Sequence, residues 1–132
     1  IVKRRALFVC TRNSARSQLA AALWRSSGAG AADSAGTHPA DAVHPGAVAA
    51  ARRIGLDIST SSPKMLEDVD TDVDLVITVC DEAREEIDAP FEWIHWSIPD
   101  PVRSGRAASF DAVARELTER IARLSRGQET MS

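Results

Sequence analysis

Apolar residues in this chain follow two rhythms that alternate along its length. Short continuous runs, Ala6–Val9 and Leu75–Val79, read as strands covered on both faces. The second run is β-branched and is the clearest strand signal in the sequence. Ala31–Thr37 reads as a short strand entering a loop, and Trp93–Ile98 as a fourth strand ended by Pro99-Asp100-Pro101. Between these runs the spacing changes to three and four. A first helix is predicted from about Ala15 to Ser27, with Ala15, Leu19, Ala22 and Leu23 on one face and Gly28-Ala29-Gly30 as its stop. His44-Pro45 opens a second helix with Val43, Ala47, Ala50, Ala51 and Ile54 inward and Gly55 at its end. Asp57–Pro63 is loop by composition, Lys64–Val69 one or two helical turns, and Asp81–Ile87 a polar helix. Phe110, Val113, Leu117, Ile121 and Leu124 form a regular stripe on a last helix, Ala107 to Arg126, and a frayed tail is expected after Gly127.

Strands alternating with helices predict an α/β fold in three layers. A four-stranded parallel sheet has right-handed crossovers and helices on both faces. Its 132 residues suit one domain, 1–132, able to bury a real core, and they contain no internal repeat or linker. Such folds hold ligands beyond the carboxyl ends of the strands. Cys10, Cys80 and Asp100 all fall at or just past such ends.

Composition narrows the class. A net charge of −3 argues against a general nucleic-acid or membrane surface. No apolar run approaches bilayer length, and no secretion leader is visible. Two cysteines fit a reduced cytoplasmic protein with reactive thiols rather than a disulfide framework. His38, His44 and His95 show no ligand spacing, so no metal site is expected. Trp24, Trp93 and Trp96 read as core and rim packing, and Glu85-Glu86 and Asp70-Thr71-Asp72 as solvated charge. The chain starts at Ile1 rather than Met, as a processed product or a piece of a longer polypeptide would.

The candidate chemistry lies in Cys10-Thr11-Arg12-Asn13-Ser14-Ala15-Arg16-Ser17, between the first strand and the first helix. Free N–H groups and the positive helix end favour an anion there. The Arg16 guanidinium can grip two oxygens of a tetrahedral oxyanion. Arg12 adds positive potential for an incoming dianion. Cys10 sits at the mouth of this ring, in surroundings expected to lower its pKa and make it a nucleophile, with Ser17 donating to the sulfur. The oxyanion-binding set is therefore Thr11 to Ser17.

Cys-x5-Arg-Ser with Asn13 in third place resembles the signature loop of the low-molecular-weight protein tyrosine phosphatases. In that family the asparagine shapes the loop. Asp100-Pro101 resembles their catalytic Asp-Pro loop, which implies that Asp100 is the acid for the departing oxygen. The phosphatase loop continues with tyrosines, whereas this one reads Val102-Arg103 in a chain without tyrosine, which argues against phosphotyrosine. Leu75–Ala83 with Cys80, Ser14–Gln18, Ser34-Ala35-Gly36-Thr37 and His95-Trp96 resemble the arsenate reductases on the same fold. That resemblance implies a second thiol, Cys80, attacking the arsenic-bound Cys10 sulfur and leaving a disulfide for an external reductant. The third cysteine of the thioredoxin-coupled branch is Ile87 here, and Ala15 replaces a cysteine often found in the loop. The implied reductant is therefore a small thiol such as mycothiol or glutathione, or a thioredoxin- or glutaredoxin-like protein reaching the disulfide directly. Ala20-Ala21-Ala22 offers no acidic residue for the potassium site of some members. The expected function is arsenate reduction, with phosphomonoester hydrolysis as the alternative. Val43–Val48 and His95–Pro101 also resemble the phosphatase-type domain fused to arsenic-responsive helix-turn-helix repressors, implying an oxyanion-sensing role as a further alternative.

Overall fold

The computed structural model describes residues 3–87 and 93–126. The tail after Gly127, expected to fray, lies outside the described residues. Four parallel strands, β1 (Ala6–Cys10), β2 (Ala32–Gly36), β3 (Leu75–Thr78) and β4 (Ile94–His95), are ordered β2-β1-β3-β4. Helices α1 (Arg16–Ser26), α2 (Pro45–Arg53), α3 (Asp81–Glu86) and α4 (Ala107–Ser125) occupy the connections, with a 3₁₀ turn at Leu66–Asp68. This is the expected α/β architecture.

β1 is central because both its faces are apolar and buried. Alternate side chains go to opposite sides of a strand. Ala6, Phe8 and Cys10 join the larger core with residues of α1, α2 and α4. Leu7 and Val9 join a smaller one closed by Leu66, Val69, Val73, Ile87 and Trp93. Phe8 meets Trp24 edge-on and Trp96 at a tilt, each at 6.0 Å between ring centres. The tryptophan reading holds for Trp24 and Trp96, both fully buried, while Trp93 is half-buried at the rim.

The expected stripe on α4, Phe110 to Leu124, is buried in full. α1 is buried on more than its predicted face, with every residue from Ser17 to Trp24 enclosed. Its alanines let it sit between the sheet and α4 with little side-chain bulk. In α2 the inward residues are Ala47, Ala50 and Ala51, whereas Ile54 is 48% exposed beyond the helix end. Ile54 therefore leaves the predicted inner face. Val43 precedes the helix rather than lying on it.

The fourth strand is far shorter than Trp93–Ile98. Only Ile94 and His95 pair with β3, and Trp96 adds one further bond to the Thr78 carbonyl. β3 ends at Thr78, where the chain turns toward Cys80 and α3, so residues after Trp96 have no ladder to join. The β propensity of Ser97-Ile98 is overridden by the loss of a partner strand. Glu86 and Asp70, read as solvated charge, are exposed but paired, with His38 and Arg5 respectively.

Because Leu117 is fully buried at the centre of the α4 stripe, Leu117→Ala should cost about 2–5 kcal/mol of folding stability. Chemical denaturation reads this directly; a loss below about 1 kcal/mol would mean that α4 does not anchor the core.

Candidate active site

β1 delivers Cys10 to the carboxyl edge of the sheet, and the next five residues wrap back over it before α1 begins at Arg16. The loop carbonyls face outward. Those of Cys10, Thr11, Arg12 and Ser14 accept the backbone N–H groups of Thr37, His38, Ala40 and His44, at 2.8–3.2 Å. The Asn13 carbonyl accepts from Gln18 Nε2. In a planar peptide the carbonyl and the following N–H point in opposite directions. Residues 37–44 thus hold the carbonyls out and turn the amides of residues 11–15 inward, toward Cys10. The Asn13 N–H donates to the Cys10 sulfur at 3.1 Å.

Asn13 has a left-handed backbone, φ 51°, which asparagine tolerates better than most residues. Its side chain fixes that turn by donating to Ser17 Oγ and accepting from the Lys64 N–H and Gln18 Nε2. Gly36 lets β2 approach so closely. A Cβ there would lie 2.6 Å from the Thr11 carbonyl oxygen and 3.1 Å from the Asn13 nitrogen.

A cavity of about 350 Å³ opens above Cys10. Its floor is Cys10, Arg12, Ser14, Ala15 and Arg16, and Asp100 and Val102 stand at one side. Ala40, Ala42, Val43, His44 and Pro45 form the opposite wall. Of the sequence-predicted set, Thr11, Asn13 and Ser17 do not line the cavity. The Thr11 hydroxyl turns to the Cys80 sulfur at 3.3 Å, and Asn13 and Ser17 support Cys10 from beneath.

The cavity wall was not legible as site residues. His44 caps α2 by accepting the Gly46 N–H at Nδ1 and stacks on Phe110, with ring centres 5.0 Å apart. His-Pro before an apolar-periodic stretch signals a helix start, but nothing local signals that the ring faces an anion pocket.

Arg16 does not rest over the loop alone. Its Nη1 donates to the Ile98 carbonyl at 2.9 Å, two residues before Asp100. The Asp100 side chain is exposed, and its Oδ1 accepts the Val102 N–H at 2.9 Å, folding its own loop. Cys80 is buried as the cap of α3, its sulfur accepting the Ala83 N–H at 3.4 Å. Both cysteines are free thiols on the same side of the sheet. Among the described residues no cluster of three His, Cys, Asp or Glu is placed to hold a metal ion, and no helix is long and apolar enough to cross a membrane.

The thiol environment reverses the sequence expectation. Burial pushes the Cys10 pKa above its ordinary value of 9.0. The hydroxyl and N–H of Ser17 pull it down, Cys80 raises it, and Arg16, turned toward Ile98, lowers it least. The fold therefore retains a proton that the unfolded chain releases near 9.0. That contribution to stability is complete below this pH and is lost as pH rises through the folded-state value. Thiolate absorbance of Cys80→Ser protein, measured without oxyanion, should develop above pH 9.0, and adding Ser17→Ala should move it higher still. A midpoint below 9.0 would show that the loop amides outweigh burial.

The chain is similar to known proteins over nearly its whole length. Residues 5–130 match the family model described as low molecular weight phosphotyrosine protein phosphatase. A glutaredoxin arsenate reductase of Synechocystis sp. is 33% identical over 131 residues, covering 92% of this chain and 95% of that protein. An arsenate reductase of Bacillus licheniformis is 33% identical, over 93% and 96% of the two chains. Among solved structures, an arsenate reductase in the phosphate binding state superposes with a TM-score of 0.79 at 30% identity, over 97% of this chain and all of that one. With its parallel sheet, its Cys-x5-Arg-Ser loop and this match across residues 5–130, the chain belongs to the low-molecular-weight phosphotyrosine protein phosphatase family.

Proposed function

We propose that this protein is an arsenate reductase in which Cys10 is the nucleophile, Arg16 and the loop amides hold the oxyanion, Asp100 is the proton donor and Cys80 is the second thiol. The observation that carries this reading is the burial of two free thiols at one site. Cys80 Sγ lies 3.3 Å from the hydroxyl of Thr11, the neighbour of Cys10, and is near enough to help raise the Cys10 pKa. Hydrolysis through a cysteinyl-phosphate needs one thiol. A second in this position serves a redox step.

An arriving dianion meets the inward amides, with Arg12 and Arg16 at the same floor. Cys10 is a thiol at rest, so its proton passes to an oxygen of the dianion as the sulfur attacks arsenic. One oxygen departs as water, taking a proton from Asp100 at the cavity side. The Cys80 sulfur then attacks the Cys10 sulfur, and its thiol proton passes to an arsenic-bound oxygen. The sulfur–sulfur bond forms, the sulfur–arsenic bond breaks, and its electron pair leaves with arsenic as arsenite. Two thiols are oxidised to a disulfide as arsenic(V) becomes arsenic(III). An external thiol reductant restores the pair. The likeness to the glutaredoxin arsenate reductase of Synechocystis favours a glutaredoxin-type reductant over a small thiol such as mycothiol or glutathione, and over thioredoxin.

Phosphomonoester hydrolysis is the second reading, because Cys10, Arg16 and Asp100 treat phosphorus and arsenic alike. The wall facing them is Ala40, Ala42, Val43, His44 and Pro45, with Val102 across. Among the described residues no phenylalanine lines this cavity to stack on a phenol, and the chain has no tyrosine, which favours a substrate other than a phosphotyrosine.

Intact mass of the reduced protein after stoichiometric arsenate, with arsenite assayed in parallel, tests the reading. The expected result is a loss of about two hydrogens and release of roughly one arsenite per chain. Cys80→Ser should abolish both while still hydrolysing an aryl phosphate; Cys10→Ser should abolish all three. Arsenate that leaves the wild-type thiols intact and yields no arsenite would assign the chain to hydrolysis instead.

A further inference from the structure

α3 is a short support for a residue that must be accurately aimed. It has six residues, of which only Ala83 is buried. Cys80 caps its first turn, but sulfur is a weak acceptor for the Ala83 N–H it takes at 3.4 Å. Such a helix has little intrinsic stability of its own. Something else must hold its N-terminal end.

Asp81, bonded directly to Cys80 along the chain, supplies that hold. Its Oδ1 lies 2.8 Å from His95 Nε2, and its Oδ2 accepts from Ser97 Oγ at 3.1 Å. The other ring nitrogen of His95, Nδ1, is 2.7 Å from Thr78 Oγ1, at the end of β3. His95 is therefore fixed at both nitrogens, by the strand that leads to Cys80 and by the helix that leaves it. The same short segment continues to Ile98, whose carbonyl holds Arg16. Hydrogen bonds from His95 and Ser97 keep the Asp81 carboxyl below its ordinary range, so the carboxylate is the form present.

Asp81 is largely exposed, and an exposed ion pair contributes little to global stability. Its effect is on geometry. Both carboxylate oxygens are engaged, by two side chains of the β4 segment, one residue away from the sulfur. Neither His95 nor Asp81 lines the cavity above Cys10.

We propose that Asp81, His95 and Ser97 form a clamp that positions the Cys80 sulfur for attack on Cys10, serving the thiol step and not hydrolysis. This rests on the role given to Cys80 above. Asp81 and His95 are positioning residues, acting through Cys80.

Asp81→Asn and His95→Gln keep the side chains similar in size while removing the Asp81 carboxylate and the His95 ring that tie the two segments together. In the full chain three rates are compared with those of the wild type: single-turnover formation of the Cys10–Cys80 disulfide with arsenate, hydrolysis of p-nitrophenyl phosphate, and iodoacetamide alkylation of Cys80 in a Cys10→Ser background. Disulfide formation should slow roughly ten- to a hundredfold. Hydrolysis should stay within about twofold, since it makes no use of Cys80. Alkylation should rise, because the buried sulfur is released. Equal losses of disulfide formation and hydrolysis would overturn the clamp in favour of general structural damage, and unchanged alkylation would overturn it outright. If the wild type forms no disulfide with arsenate, the reductase reading fails on that result, and the alkylation rates still decide the clamp.

Discussion

Five consecutive carbonyl oxygens, from Cys10 to Ser14, point away from the sulfur they surround, and the site depends on this. Four are held by the backbone of residues 37–44 and the fifth by Gln18. Without those partners the carbonyls would be free to turn inward and present negative ends to an anion. With them, the amides converge on one point, at the positive end of α1. Anion binding is thus a property of how β2 and the segment after it lie against the loop. Gly36 permits that approach, and Asn13 accepts the backbone conformation it imposes.

The same enclosure that orders the amides buries the nucleophile. Burial raises the Cys10 pKa, and Ser17 and Arg16 only partly oppose it. A thiol kept protonated at rest is less exposed to adventitious oxidation or alkylation. In the proposed mechanism it becomes reactive when a dianion arrives that can accept its proton. Desolvation and activation are joined in this way. Placing Cys80 nearby strengthens the effect, since two thiolates in one buried site repel each other.

Stability and chemistry are divided between the two sides of the chain's topology. The larger core, built on α1, α2 and α4 with Phe8, Trp24 and Trp96, fixes the sheet. The parts that carry reactive groups sit on its carboxyl edge, on short elements: a loop, a six-residue helix and a two-residue strand. Short elements bury little and are held by polar contacts instead. Arg16 on Ile98, His95 on Asp81 and His38 on Glu86 are such contacts. Each links segments remote in sequence.

The sequence by itself determined the architecture and the candidate loop. Continuous apolar runs and the stripe from Phe110 to Leu124 carry the parallel sheet and its helices, because burial repeats with the backbone period. Cys10, Asn13 and Arg16 were legible because their spacing and their place between a strand and a helix are local. The tertiary structure decided what depends on distant neighbours. Trp93–Ile98 shrank to two paired residues because β3 ran out beside it. Ile54 turned outward, and Val43 and His44 became cavity wall. The sign of the Cys10 shift was also decided there: adjacency to Arg16 and a helix end predicts lowering, and only enclosure by the rest of the chain raises it. Periodicity and spacing act along the chain, while desolvation and hydrogen-bond partners act through space, and no local pattern encodes them.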